Sequence, residues 1–406
     1  MIALLFLSSC GKELPIIEKA LTYSIEKTTV FGMEMYIIKG IINDSLNLDQ
    51  TKSYIIEGKL VVSSEGSLSI DAGTTIYASP SVTSYLLIER GSKIIAKGSM
   101  DKPIVFTSLN TLSNTASYGD WGGIHINGQA IVNERSASLT LEVGKYGRLE
   151  NEINDDNSGI LSYVRIEFAG QKIGTSEGAL NLNGVGDKTQ VDHIQTYFCN
   201  GNGFRLRGGT VNISHIISTQ TRGNGIRWDN GWNGKGQFII AHLTSPLPDT
   251  VTLMTGGSSS VGNIPISNPI MSNVTLIGRA DMAVRGLRLG EGTQGNIFNM
   301  IIKNTERALR ADNAFDDIIT RKLVVKNSLL FDNNINYFEN STSSAGIFAD
   351  SEFMNSYDAI TMQDYIGSTT VKAVDPIQIY ASFELGNYIG AVKDIQNDWT
   401  LNWTKL

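Results

Sequence analysis

Val191–Gly209 reads VDHIQTYFCNGNGFRLRGG, and Val211–Gly231 reads VNISHIISTQTRGNGIRWDNG. Superposed at an offset of 22 residues, Ile194 falls on Ile216, Asn202 on Asn224, Gly203 on Gly225, Phe204 on Ile226 and Arg205 on Arg227. Each copy offers a strand, an Asn/Gly turn, a second strand and another turn. A repeat of this size cannot bury its apolar residues alone, so copies must stack. The stretch predicts an all-β solenoid, a single-stranded parallel β-helix.

Outward from this stretch the same pattern continues. Upstream, IIEGKLVVSSEGSLSIDAGTTIYA and YLLIERGSKIIAKGSMDKPIVFTS alternate apolar and polar residues between glycines. Such short strands suit a coil better than a sandwich, whose strands are longer and joined by hairpins. Downstream, QFIIAHLTS, NVTLIG, GLRLGEG, NIFNMIIKN, RALRADN and LVVKNSLLF read as further rungs. Residues 51–340 are therefore the predicted β-helix. Residues 11–50 are read as an N-terminal cap and linker, with helix near Ile16–Leu21, because an open first rung invites edge pairing. Residues 341–406 are read as irregular last rungs and a C-terminal cap, with Trp399 and Trp403 covering the final rung. A polar insertion from about Glu134 to Ser158 reads as a loop leaving one corner.

Composition narrows the function. The 406 residues hold 41 Gly and 8 Pro, and a formal charge of −7 argues against a nucleic-acid partner. Four histidines and two cysteines leave little for a His/Cys metal site. The first ten residues, MIALLFLSSC, read as a lipoprotein signal peptide, with Leu7-Ser8-Ser9-Cys10 as the lipobox and Cys10 as the lipidation site. No Lys or Arg precedes the apolar run. A lipidated Cys10 would anchor the chain to a membrane surface and leave Cys199 without a partner, expected as a small buried residue.

Aligning the short strands produces a column of outward residues: His125, Asn181, Arg205, Arg227, Arg288 and Arg310. Stacked about 4.8 Å apart, like charges repel, so solvent, alternating carboxylates or a bound polyanion should offset them. Asp229, Glu291 and Asp312 are the carboxylates at hand. The alternation places Thr252 between Arg227 and Arg288, and Arg207 on the same face as Arg205. Trp228 points inward. Trp232, in a turn, is a candidate for exposed stacking on a sugar or for a packed corner. Asp155 and Asp156 are candidate oxygen ligands for Ca²⁺, or else solvated loop carboxylates. Asn202 and Asn224 read as stacked corner amides.

In order along the chain, GSLSIDAGTTIYA, GDWGGIHINGQA, NSGILSYVRIEFAG, NGFRLRGGTVN, WDNGWNGKGQF and YIGAV…DWTLNWT resemble a group of uncharacterised Bacteroidota outer-membrane lipoproteins. The resemblance covers roughly residues 50–406. It implies a right-handed parallel β-helix, lipid-anchored at the outer membrane and facing the cell surface or the periplasm. It implies no established reaction. Relatives often carry acidic strands of the type DGFEWFGG where this chain has Arg205, Arg207 and Arg227, which argues against a cationic ligand there. Motifs like those of pectate lyases or polygalacturonases are missing from the strands. The leading expectation is a binding or adhesion module for a glycan or protein. A polysaccharide lyase or glycoside hydrolase and a passive component of an outer-membrane complex are the alternatives.

Overall fold

The computed structural model describes residues 22–405, except 64, 135–139, 149–153, 258–260, 314 and 336–349. Cys10, the leader and Ile16–Leu21 lie outside the described residues. Twenty-four strands form one continuous sheet system, and all of its pairings between named strands are parallel except the first. Thr22–Val30 and Met33–Ile42 make an antiparallel hairpin, and Met33–Ile42 already pairs in parallel with Tyr54–Val62. The coil thus starts before residue 51, and the segment read as a cap supplies its first rung.

From Gly159 onward two strand families alternate. Long strands (Gly159–Glu167, Gln190–Tyr197, Ile213–Thr219, Lys235–His242, Ile270–Ile277 and Gly295–Lys303) stack on one another. Short strands (Leu180–Val185, Phe204–Gly209, Asn224–Asp229, Val251–Gly256, Val284–Leu289 and Arg307–Ala311) form the second stack, which starts on the earlier strand Ile124–Asn127. The 22-residue repeat carries one strand of each. Inward residues make continuous columns, such as Val164, Ile194, Ile216, Ile239, Val274 and Met300, all fully buried. Each such side chain contributes about 1.5–3 kcal/mol by leaving water. Trp228 lies inward as expected, and its indole lies where a Cβ on Gly256, one rung on, would be 1.9 Å away.

Every long strand bends at one residue with left-handed backbone: Tyr163, His193, His215, Phe238, Asn273 and Asn299, at φ of 50–56°. Asn tolerates this region through its short polar side chain and His is also enriched there, whereas the bulkier Tyr163 and Phe238 are costly. The rings offset that cost by stacking. Tyr163 lies 4.1 Å from His193, His193 4.4 Å from His215, and His215 4.7 Å from Phe238.

This bend column is where the C-terminal segment docks. Instead of covering the last rung, residues 365–405 run back along the outside of the long strands as a strap. Trp399 and Trp403 set their edges against His193, and Trp399 also against His215. Further along, Asn273 donates to the carbonyls of Gly386 and Tyr388, and Asn299 to that of Val374. At its end, Arg165 donates to the carbonyl of Trp403 and Lys405 Nζ meets the buried Glu167 at 3.0 Å. The insertion behaves similarly. Leu141, Val143 and Tyr146 fold back over Val61, Tyr85 and Leu87 as an arm on the outer face.

Candidate functional site

The short strands stack in register, so His125, Asn181, Arg205 and Arg227 form one column that continues to Arg288 and Arg310. The residue between Arg227 and Arg288 is Thr255, because Thr252 pairs with Asn224. The expected position was three residues off, since inward residues on this strand include both Leu253 and Met254, which shift the alternation.

The column divides into a covered half and an open half. His125 is fully buried with its ring edge-on to Tyr85, and burial lowers its pKa to about 4, keeping it neutral at pH 7. Asn181 is buried and donates to the carbonyl of Gly178. Arg207 is buried with its guanidinium 5.7 Å from the Tyr146 ring of the arm. A parallel ladder explains the arm's position: Asn183 donates to Asn127, and Asn127 donates to the carbonyl of Val143. His125, Asn181, Arg205 and Arg207, expected to face outward, do face away from the coil interior, yet they are shut from solvent. Trp232 is also buried, with its indole N–H donating to the carbonyl of Val211. The packed corner is the reading that holds, and no sugar can stack there.

Beyond Arg205 the column opens. Asp229 accepts from Arg205 at 2.9 Å and from Arg227 Nε at 3.0 Å. Burial pushes the Asp229 carboxyl up, but Arg205, Arg227 and Arg207 outweigh it and hold the pKa below the ordinary carboxylate value. Asp312 likewise accepts from Arg288 Nε at 2.8 Å and Arg310 Nε at 2.7 Å. Four guanidiniums therefore share two buried or half-buried carboxylates. Between the pairs the small Thr255, Gly256 and Gly257 leave a cleft of about 400 Å³, walled by Arg227 and Arg288 and rimmed by Glu291. Among the described residues both arginines are hydrogen-bonded only through Nε, so their terminal nitrogens remain for a ligand. Their side chains are 35% and 46% exposed, which suffices for access.

The other candidates fall elsewhere. Asp156 is buried, and one oxygen accepts from Ser158 Oγ and from the Gly186 N–H, while Asp155 is exposed. Asn224 donates to Asn202 at 2.7 Å in a corner stack. Cys199 is buried, and burial pushes its thiol up to about 12. Among the described residues, no group of three or more His, Cys, Asp or Glu side chains is placed to hold a metal.

A coil of parallel strands stacked rung on rung, with an outer arm, a strap and an arginine-lined cleft, defines the parallel β-helix class. Within that class the chain belongs to the family described as the pectate-lyase like beta helix domain, whose model matches residues 40–404. No curated protein and no solved structure matches the chain.

Proposed function

We propose that this β-helix is a lipid-anchored binding module of the outer membrane that holds a glycan or protein ligand. An anionic group of that ligand would sit between Arg227 and Arg288. The supporting observation is the interruption of the arginine column at Thr255, which leaves two guanidiniums roughly two strand spacings apart, about 10 Å, facing one cleft. A carboxylate, sulfate or phosphate matches the guanidinium fork in charge and geometry. The lipid anchor rests on Leu7-Ser8-Ser9-Cys10, twelve residues before the first described strand.

The test measures binding of residues 11–406 to neutral and anionic glycans at low and physiological salt, together with assays for new reducing ends and unsaturated products. Arg288→Glu should weaken anionic binding by about tenfold or more, as loss of a charge-assisted contact of 1.5–3 kcal/mol requires. Binding indifferent to salt and to this substitution would remove the cleft from the reading. Products would make the chain a lyase or hydrolase. Separately, palmitate labelling in the export-competent host should vanish in Cys10→Ser.

A further inference from the structure

The strap does more than cover the bend column. Where it crosses the N-terminal ends of the long strands it closes a second cleft of about 310 Å³, which shares no lining residue with the arginine cleft. Its floor is the outward face of three successive rungs. Asp192, Ser214 and Gln237 form one column of that face. Asn212 and Lys235 lie beside it on adjoining rungs, with Asn212 Oδ1 accepting the Lys235 N–H at 2.9 Å. Its wall is the strap segment from Tyr380 to Glu384. Gln237 fixes that segment with a two-point clamp, donating to the Glu384 carbonyl at 2.9 Å and accepting its N–H at 2.8 Å. Within this wall Tyr380 and Phe383 pack edge to face at 5.3 Å, and the Lys235 ammonium lies 5.4 Å from the Tyr380 ring centre. The wall is thus positioned by the floor.

The hydrogen-bonding groups left unused in this cleft identify what it suits. Among the described residues, Asn212 Nδ2, Ser214 Oγ, Gln190 Oε1, the Tyr380 hydroxyl and the Asp187 carboxylate make no hydrogen bond to protein. The Glu384 carboxylate lies 3.9 Å from His215 Nδ1. Acceptors, donors and hydroxyls therefore alternate around one space. Sugar hydroxyls, which donate and accept at once, match such a set, whereas a carboxylate or phosphate does not. Asp187, Asp192 and Glu384 outnumber Lys188 and Lys235 in the lining, which disfavours an anion further. An apolar ligand would bury the polar floor unpaired. The volume lies at the lower end of small-ligand clefts, roughly 300–1,000 Å³, and suits a short saccharide rather than a folded partner.

We propose that the cleft between the strap segment 380–384 and the rung faces at Asn212, Ser214 and Lys235 is a binding site for a neutral saccharide unit. This site is independent of the arginine cleft. The test uses the full chain from residue 11, with saturation-transfer NMR and calorimetry against glucose, galactose, mannose, N-acetylglucosamine and their β-linked disaccharides. At least one should bind with a millimolar or tighter Kd. Asn212→Ala should weaken that binding by about tenfold, the worth of one or two lost hydrogen bonds, while Arg288→Glu leaves it unchanged. Tyr380→Ala is the second variant, with Trp399 and Trp403 fluorescence showing whether the strap stays docked. Failure of every probe to bind at tens of millimolar overturns the proposal, as does binding that both variants leave intact with the strap docked. Loss of anionic binding in Arg288→Glu bears only on the other cleft, so the two readings fail separately.

Discussion

Asp229 illustrates how much one carboxylate can hold in this fold. It is 3% exposed and neutralises Arg205, itself 8% exposed, together with the more open Arg227. Replacing it with Asn keeps the shape and removes the charge, leaving a buried guanidinium without its counter-ion. Asp229→Asn should therefore cost about 3 kcal/mol or more, seen as a lower urea midpoint with an unchanged slope. Charge reversal at Arg205 would unfold the column for the same reason, so Arg288 is the better probe of binding. The histidines predict a pH dependence. Burial lowers His215 to about 3, with the neighbouring His193 adding to the effect, and lowers His125 and His242 to about 4. Unfolded histidines near 6.5 take up protons first, so stability is complete above that pH and declines as the pH falls from about 6.5 toward 4. Each histidine contributes up to ~1.4 kcal/mol per pH unit within its window. Thermal melts at pH 7.5 and 5 should show the loss. His215→Phe, a ring the same column already carries at Phe238, should shrink it.

At the scale of elements, the strap and the arm explain a feature of the strands that the alternating pattern does not. Ile216-Ile217, Ile239-Ile240 and Ile301-Ile302 are apolar pairs, with one member inward and the other outward. Ile217 and Ile240 meet Ala391, Val392 and Trp403 of the strap, and Ile301 meets Ile389. Leu87 beside Leu86 is covered by the arm in the same way. A run apolar on both faces is the mark of a strand buried on both faces, and these doublets were the available signal that the outer face is covered. Trp403→Ala should cost about 3–5 kcal/mol, the range for emptying a fully buried aromatic site. Limited proteolysis should then cut the strap before the coil. A strap that stays protected in this variant would show that its backbone bonds to Asn273 and Asn299 suffice without the indole.

For the whole molecule, the strap matters because a solenoid is otherwise held by nearest neighbours alone. It touches long strands from Gly159–Glu167 through Gly295–Lys303, linking rungs that never contact one another. Deleting residues 357–406 should therefore lower the cooperativity of unfolding. Calorimetry should resolve more than one transition where the full chain gives one. A single transition at the original temperature would mean that rung stacking alone couples the coil.

The architecture was legible in the sequence because it is local and periodic. The 22-residue offset, the Asn/Gly corners and the inward apolar positions each follow from what a rung needs, so the coil and the arginine column could be read from neighbouring copies. Thr252 was read into the column in place of Thr255 because Leu253 and Met254 break the alternation there. What covers the rungs is set by contacts between residues far apart in the chain, such as Trp403 with Arg165 or Val143 with Asn127. Those contacts decided that His125 and Arg207 are buried while Arg227 and Arg288 are open. Sequence determined which side chains leave the coil outward, because strand alternation is a backbone property. Only the tertiary structure decided which of them reach water, because that depends on where the arm and the strap come to rest.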